Sequence, residues 1–116
     1  MAVHHGGCHC GKVRYSVEST LEGLVTCNCS YCDKRRSILA FVPADSFRLE
    51  AGEEALTEYR FNTGKIQHLF CATCGLESFA RGAMPDGTQM VAVNVACIDG
   101  IDTAELEANR YDGRSL

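Results

Sequence analysis

The sequence contains no tryptophan and only two prolines. No apolar run is long enough to cross a membrane as a helix, so no membrane partner is expected. Positive charge is in short supply: 11 Lys and Arg stand against 15 Asp and Glu, for a formal net charge of −4. Phosphate-backbone binders usually carry a basic patch or a basic balance, so no nucleic-acid partner is expected either. The one basic run, Lys34-Arg35-Arg36, is too short to reverse that reading. Residues 1–6 lack the apolar core of a secretory signal, which makes a cytoplasmic location the expectation. Low-complexity segments, internal repeats and linkers are missing as well, and amphipathic helical patterns are scarce.

What remains is 116 residues, enough for a single domain over residues 1–116. A domain of this size buries roughly two-thirds of its unfolded surface. Hydrophobic residues make up 46% of the chain, but only five Phe and four Tyr serve as large aromatics, so a metal crosslink would help. Short apolar runs between Gly, Asp and Asn turns predict a mainly β domain. Residues 12–18 alternate, with Val13, Tyr15 and Val17 facing inward. Residues 24–29 read as a strand with Val25, Cys27 and Cys29 on one face, and residues 30–37 as a short helical segment. Further strands are expected at 38–42, 47–50, 57–61, 66–71 and 78–81, with turns at 62–64 and 84–87. The longest apolar stretch, residues 90–98, reads as a central strand, and residues 102–109 as the clearest helix.

Cysteine is the abundant reactive residue. Seven of the eight cysteines fall in three clusters: Cys8-His9-Cys10, Cys27-Asn28-Cys29-Ser30-Tyr31-Cys32, and Cys71-Ala72-Thr73-Cys74. A disulfide framework suits secreted domains rather than a reducing compartment, and cysteines at i and i+2 on a strand bridge poorly. Metal binding fits better. Cys71-x-x-Cys74 followed by Gly75 has the spacing of a zinc knuckle, and Cys8-x-Cys10 supplies two more thiolates for a closed, structural site. Gly6-Gly7 would give the backbone freedom to turn into it. Cys27, Cys29 and Cys32 offer three ligands, the number a catalytic zinc keeps while one position stays open. The chain therefore reads as binding two zinc ions, although tetrahedral sulfur ligation also suits iron. Cys97 is an alternative fourth ligand that would close the second site, or else a small hydrophobe at a strand end. His9 is a weaker rival ligand; His4, His5 and His68 read as surface or core residues.

A zinc held by three thiolates is rich in negative charge and suits the binding of a substrate thiol as thiolate rather than hydrolysis. Lys34 and Arg35, just after Cys32, could meet a substrate carboxylate, or they could form a solvated face.

Four segments carry a resemblance. They are Gly7-Cys8-His9-Cys10-Gly11-Lys12-Val13-Arg14-Tyr15, Cys27-Asn28-Cys29-Ser30-Tyr31-Cys32, Phe70-Cys71-Ala72-Thr73-Cys74-Gly75 and Val93-Asn94-Val95-Ala96-Cys97-Ile98-Asp99-Gly100. In these segments the sequence resembles the family of glutathione-dependent formaldehyde-activating enzymes, which shares its domain with a centromere protein. The resemblance implies a β-tent fold of small antiparallel sheets organised around zinc sites. It implies a structural zinc on Cys8, Cys10, Cys71 and Cys74 and a catalytic zinc on Cys27, Cys29 and Cys32. It also implies carbon–sulfur lyase chemistry on glutathione adducts, such as glutathione plus formaldehyde giving S-hydroxymethylglutathione. A non-catalytic binding module with two structural metals is the alternative. The residues imply no oligomeric state.

Overall fold

Two sheets meet across an aromatic contact. The computed structural model describes residues 2–61 and 64–115, with Arg114 described by its backbone alone. The smaller sheet is antiparallel and has the order β1-β2-β5, from Ala2–Gly7, Arg14–Ser19 and Phe47–Ala51. The larger sheet has the order β10-β3-β4-β9-β8-β7-β6. Its strands are β3 (Leu24–Cys27), β4 (Leu39–Pro43), β6 (Leu56–Tyr59), β7 (Gln67–Cys71), β8 (Phe79–Ala83), β9 (Gln89–Asn94) and β10 (Ala108–Tyr111). Every pairing in it is antiparallel except β10 with β3. The domain is mainly β, as expected, and its one α-helix among the described residues is the single turn α1 (Cys32–Arg35).

The alternation through β2 and the residue before it turns Val13, Tyr15 and Val17 inward, and all three are buried. The Tyr15 ring from the small sheet meets Phe47 at 5.3 Å and Phe79 of the large sheet at 6.5 Å between centroids. Phe47 and Phe79 close the triangle at 4.7 Å. These tilted and edge-on contacts are the geometry that aromatic quadrupoles favour. β9 lies at the middle of the seven strands, where Val91 and Val93 are buried.

Several expectations need correcting. Gly6 and Gly7 do not turn the chain. Both lie in extended β1, and what they provide is space: a β-carbon on Gly6 would stand 2.4 Å from the Cys97 carbonyl oxygen. β3 ends at Cys27 rather than Cys29, and Leu24, at 1% exposure, is its deeply buried residue while Val25 is only half-buried. β9 stops at Asn94 because the Asn94 side chain accepts a hydrogen bond from the Ala96 amide and starts a 3-10 turn. Cys97 therefore sits in a turn, not at a strand end.

The helix expected over 102–109 is absent. Asp102 caps one 3-10 turn, Thr103–Glu105, and the chain then extends as β10 along β3, pairing Ala108 with Leu24 and Tyr111 with Cys27. Pairing satisfies the open edge of β3, which outweighs weak local helix preference in a segment with one large apolar residue, Leu106. The helical segment expected at 30–37 shrinks to the four residues of α1. The turn expected at 62–64 falls, for Asn62 and Thr63, outside the described residues.

Candidate metal centres

All eight cysteines are free thiols, and seven of them gather into two groups. The first group joins the β1–β2 connection to the end of β7. The Cys8 amide donates to the Val13 carbonyl at 3.1 Å, and the Val13 amide donates to the Cys8 sulfur at 3.3 Å. This curl brings the Cys8 and Cys10 sulfurs to 3.6 Å. The Gly75 amide donates to the Cys71 carbonyl at 2.7 Å, with Gly75 at φ +78°, the left-handed conformation its lack of a β-carbon permits. The turn so formed presents Cys71 beside Cys74, and the Cys10 and Cys71 sulfurs lie 3.6 Å apart. All four sulfurs fall within 4.8 Å of one another. A tetrahedral ion with zinc–sulfur bonds of 2.3 Å requires sulfur separations of about 3.8 Å, so the donor set fits such an ion.

The electrostatics fit as well. Backbone N–H groups of Cys10 and then Leu76 point at the Cys74 sulfur and lower its pKa to about 6. The Cys74 amide does the most to hold Cys71 below its ordinary value. Cys10 moves the other way, to about 11. The Lys12 amide favours its thiolate, but desolvation and the crowding sulfurs of Cys8, Cys71 and Cys74 outweigh that effect. Four thiolates cannot share this volume without a cation to offset their charge.

The second group is built on one short stretch. Cys27 ends β3, Cys29 lies in the following loop, and Cys32 opens α1. The Cys29 amide donates to the Cys27 sulfur at 3.4 Å and the Cys32 amide to the Cys29 sulfur at 3.3 Å, winding the three thiols around a common centre. Their sulfurs lie within 4.8 Å of one another, and each residue is half-buried. Burial and the neighbouring Cys29 sulfur push the Cys32 thiol up. Cys29 goes down: burial opposes its thiolate most strongly, but the amides of Cys32 and Tyr31 together with the Cys32 thiol prevail. Cys97 belongs to neither group, and burial raises it to about 11. His9 is exposed and also belongs to neither.

Two features beside the second group were not legible in the sequence. The segment after β10 folds over it. The Asn28 amide donates to the Tyr111 carbonyl at 3.2 Å, the Asn28 side chain donates to Asp112 at 2.9 Å, and Gly113 packs against Cys27. Glu77, three residues past Cys74, is 6% exposed and accepts from the Tyr31 hydroxyl at 2.7 Å and from Arg35 at 3.0 Å. Its other carboxylate oxygen faces His68 Nδ1 at 3.3 Å, and the His68 ring lies 4.3 Å from that of Tyr31. Burial first, and then Glu77, push the Tyr31 phenol up. His68 is 6% exposed and its Nε2 meets no hydrogen-bond partner among the described residues. Arg35 is thus turned inward, half-buried and paired with Glu77; Lys34 and Arg36 remain exposed. Two shallow surface grooves, both bordered by Phe47, Leu49 and Arg81, share no residue with either cysteine group.

No helix among the described residues is long and apolar enough to cross a membrane. A crystal structure of a Rhodobacter sphaeroides protein superposes on the chain with a TM-score of 0.78 and 32% sequence identity, covering 90% of this chain and 99% of that one. The family model described as glutathione-dependent formaldehyde-activating enzyme matches residues 3–113, a span that takes in both cysteine groups and the Gly113 contact. The chain belongs to the glutathione-dependent formaldehyde-activating enzyme family.

Proposed function

We propose that the chain is a zinc-dependent carbon–sulfur lyase that acts on glutathione adducts, interconverting glutathione plus formaldehyde and S-hydroxymethylglutathione. The observation that carries this reading is the trio of sulfurs of Cys27, Cys29 and Cys32, grouped without a fourth cysteine in a chain of this family. Cys8, Cys10, Cys71 and Cys74 would hold a structural zinc, because their four sulfurs complete a tetrahedral set. Cys27, Cys29 and Cys32 would hold the second ion.

A zinc ion bound there supplies the charge that keeps a bound thiol in its thiolate form at neutral pH. In the condensing direction a sulfur–carbon bond forms at the aldehyde carbon, the carbonyl π pair moves to oxygen, and the thiol proton ends on that oxygen. The sums of atoms and charges balance, and no other reactant is needed. The chain holds the three sulfurs in place with the amides of Cys29 and Cys32. Lys34 is the exposed cation nearest in sequence to this group that remains available for a glutathione carboxylate, since Arg35 is engaged by Glu77. Free thiols in both groups are compatible with a reducing, cytoplasmic setting.

A second reading is a binding module with two structural metals. The observation in its favour is Gly113, packed on the Cys27 sulfur and closing one approach to it. Calorimetric titration of glutathione into the zinc-loaded chain, in buffers of different ionisation enthalpy, separates the two. Release of about one proton near pH 7 supports thiol coordination. Absence of binding at millimolar glutathione removes the lyase reading.

A further inference from the structure

Glu77 is the one buried carboxylate among the described residues. It lies on the segment that leaves the first cysteine group for β8, and its contacts lead to the second. Its carboxylate takes hydrogen bonds from Tyr31 at 2.7 Å and Arg35 at 3.0 Å, the residues that flank Cys32. Its carbonyl oxygen accepts from Arg35 at 3.1 Å and from the Asn94 side chain at 3.2 Å. Tyr31 and Arg35 are joined to each other, the Arg35 amide donating to the Tyr31 carbonyl at 3.2 Å. One side chain therefore grips both shoulders of the turn that carries Cys32.

That turn is short, held by three backbone hydrogen bonds of its own, from Asp33 to Cys29, Arg35 to Tyr31 and Arg36 to Cys32. A single turn of helix does not form by itself, because nucleation costs more than one hydrogen bond returns. No side chain caps its start at Tyr31, and its end passes through Arg36 at φ +60°, a conformation disfavoured for a residue with a β-carbon. An outside tether can therefore shift its shape. Glu77 is placed by the first group: the Cys71 amide donates to the Leu76 carbonyl at 3.0 Å, one residue before it.

We propose that Glu77 is a positioning residue that passes the shape of the first cysteine group to the Cys29–Cys32 turn, so that filling the first group prepares the second and the two ions load in order. The inference rests on the two-metal reading above. Glu77 touches neither metal ligands nor substrate; it acts through Tyr31 and Arg35.

The test is a cobalt(II) titration, in which four-thiolate and three-thiolate sites give distinct charge-transfer and ligand-field bands. The wild-type chain should fill the four-thiolate site first and the three-thiolate site second. Glu77→Gln keeps the shape and removes the charge. It should leave first-site affinity within about twofold and weaken the second at least about tenfold, the scale seen when groups behind metal ligands are changed. Tyr31→Phe removes the same hydrogen bond from the other side and should give a smaller loss confined to the second site. It keeps the question answerable if the first variant folds poorly. The double variant should lose no more than the sum of the two, and less if both act through one bond. Second-site affinity unchanged in both single variants would overturn the proposal, as would equal losses at both sites. Filling in the reverse order would overturn the ordered loading. A wild-type chain that binds only one ion would instead bring down the two-metal reading, and this inference with it.

Discussion

Gly113 lies so close to Cys27 that a β-carbon on it would stand 2.8 Å from the Cys27 sulfur and 3.3 Å from Cys29 Cβ. A residue 86 positions along the chain from Cys27 is therefore a wall of the second cysteine group. Gly113→Ala should push the sulfur aside. Overpacking of this kind costs about 1–3 kcal/mol, so the second ion should bind roughly tenfold or more weakly while the first is unaffected. Cobalt titration with a competing chelator measures both affinities, and equal binding by the variant and the parent would sink the idea.

The two cysteine groups should fail differently. Cys29→Ala should abolish thiol turnover and leave one ion bound in a folded chain. Cys71→Ala should do more damage, because Cys71 is fully buried and ties β7 to the β1–β2 connection. Metal in small structural zinc sites contributes on the order of 10 kcal/mol to folding, so this variant, or the parent treated with a strong chelator, should unfold at a much lower temperature. Calorimetry together with metal analysis checks both. Loss of both ions from Cys29→Ala would refute the division.

Acid should loosen the segment over the second group before it unfolds the core. Asp112 is held below its usual carboxylate range, first by the Ser115 hydroxyl and then by the Asn28 side chain. A depressed folded-state pKa stabilises above the unfolded value, and that stabilisation is lost as pH falls through the folded one. The loss should therefore come below about pH 4. Amide exchange at Asn28, corrected for its intrinsic rate, should accelerate in that window. Asp112→Asn should flatten the response, and an unchanged profile in that variant would count against it.

The phase of β3 can be tested directly. Leu24→Ala should cost about 2–5 kcal/mol of stability, since the side chain is fully buried. Val25→Ala should cost clearly less. Denaturant midpoints give both values, and the opposite ranking would restore the phase expected from alternation.

The clustering of the cysteines could be read from the sequence because their spacings are short, and a spacing is local information. The same holds for residues 12–18, where Val13, Tyr15 and Val17 mark a face by alternation, and for β9, whose apolar run marks it as a central strand. The failures share a cause in contacts made far along the chain. β10 is a strand because β3 offers it an edge, and nothing within residues 102–109 records that edge. Leu24 takes the core position in β3 because of what packs on it, and four residues carry too few alternations to fix the phase. Glu77 resembles any charged residue near a turn until Tyr31, Arg35 and His68 are brought to it from two other segments. Cys97 leaves the strand through one side-chain hydrogen bond from Ala96 to Asn94.

The parallel pairing of β10 with β3 also constrains the route by which the chain folds. A parallel neighbour cannot arrive through a tight hairpin, and the Asn28–Asp112 bond joins residues 84 apart. Closing a loop that long is entropically expensive, and topologies rich in such contacts fold slowly. An ion shared by Cys10 and Cys71, themselves 61 residues apart, would shorten the remaining search, because it would gather the chain before β10 has to find its partner. If the first group holds the proposed zinc, its capture is placed to act early in assembly, and folding of the freshly made chain should speed up with the concentration of available zinc.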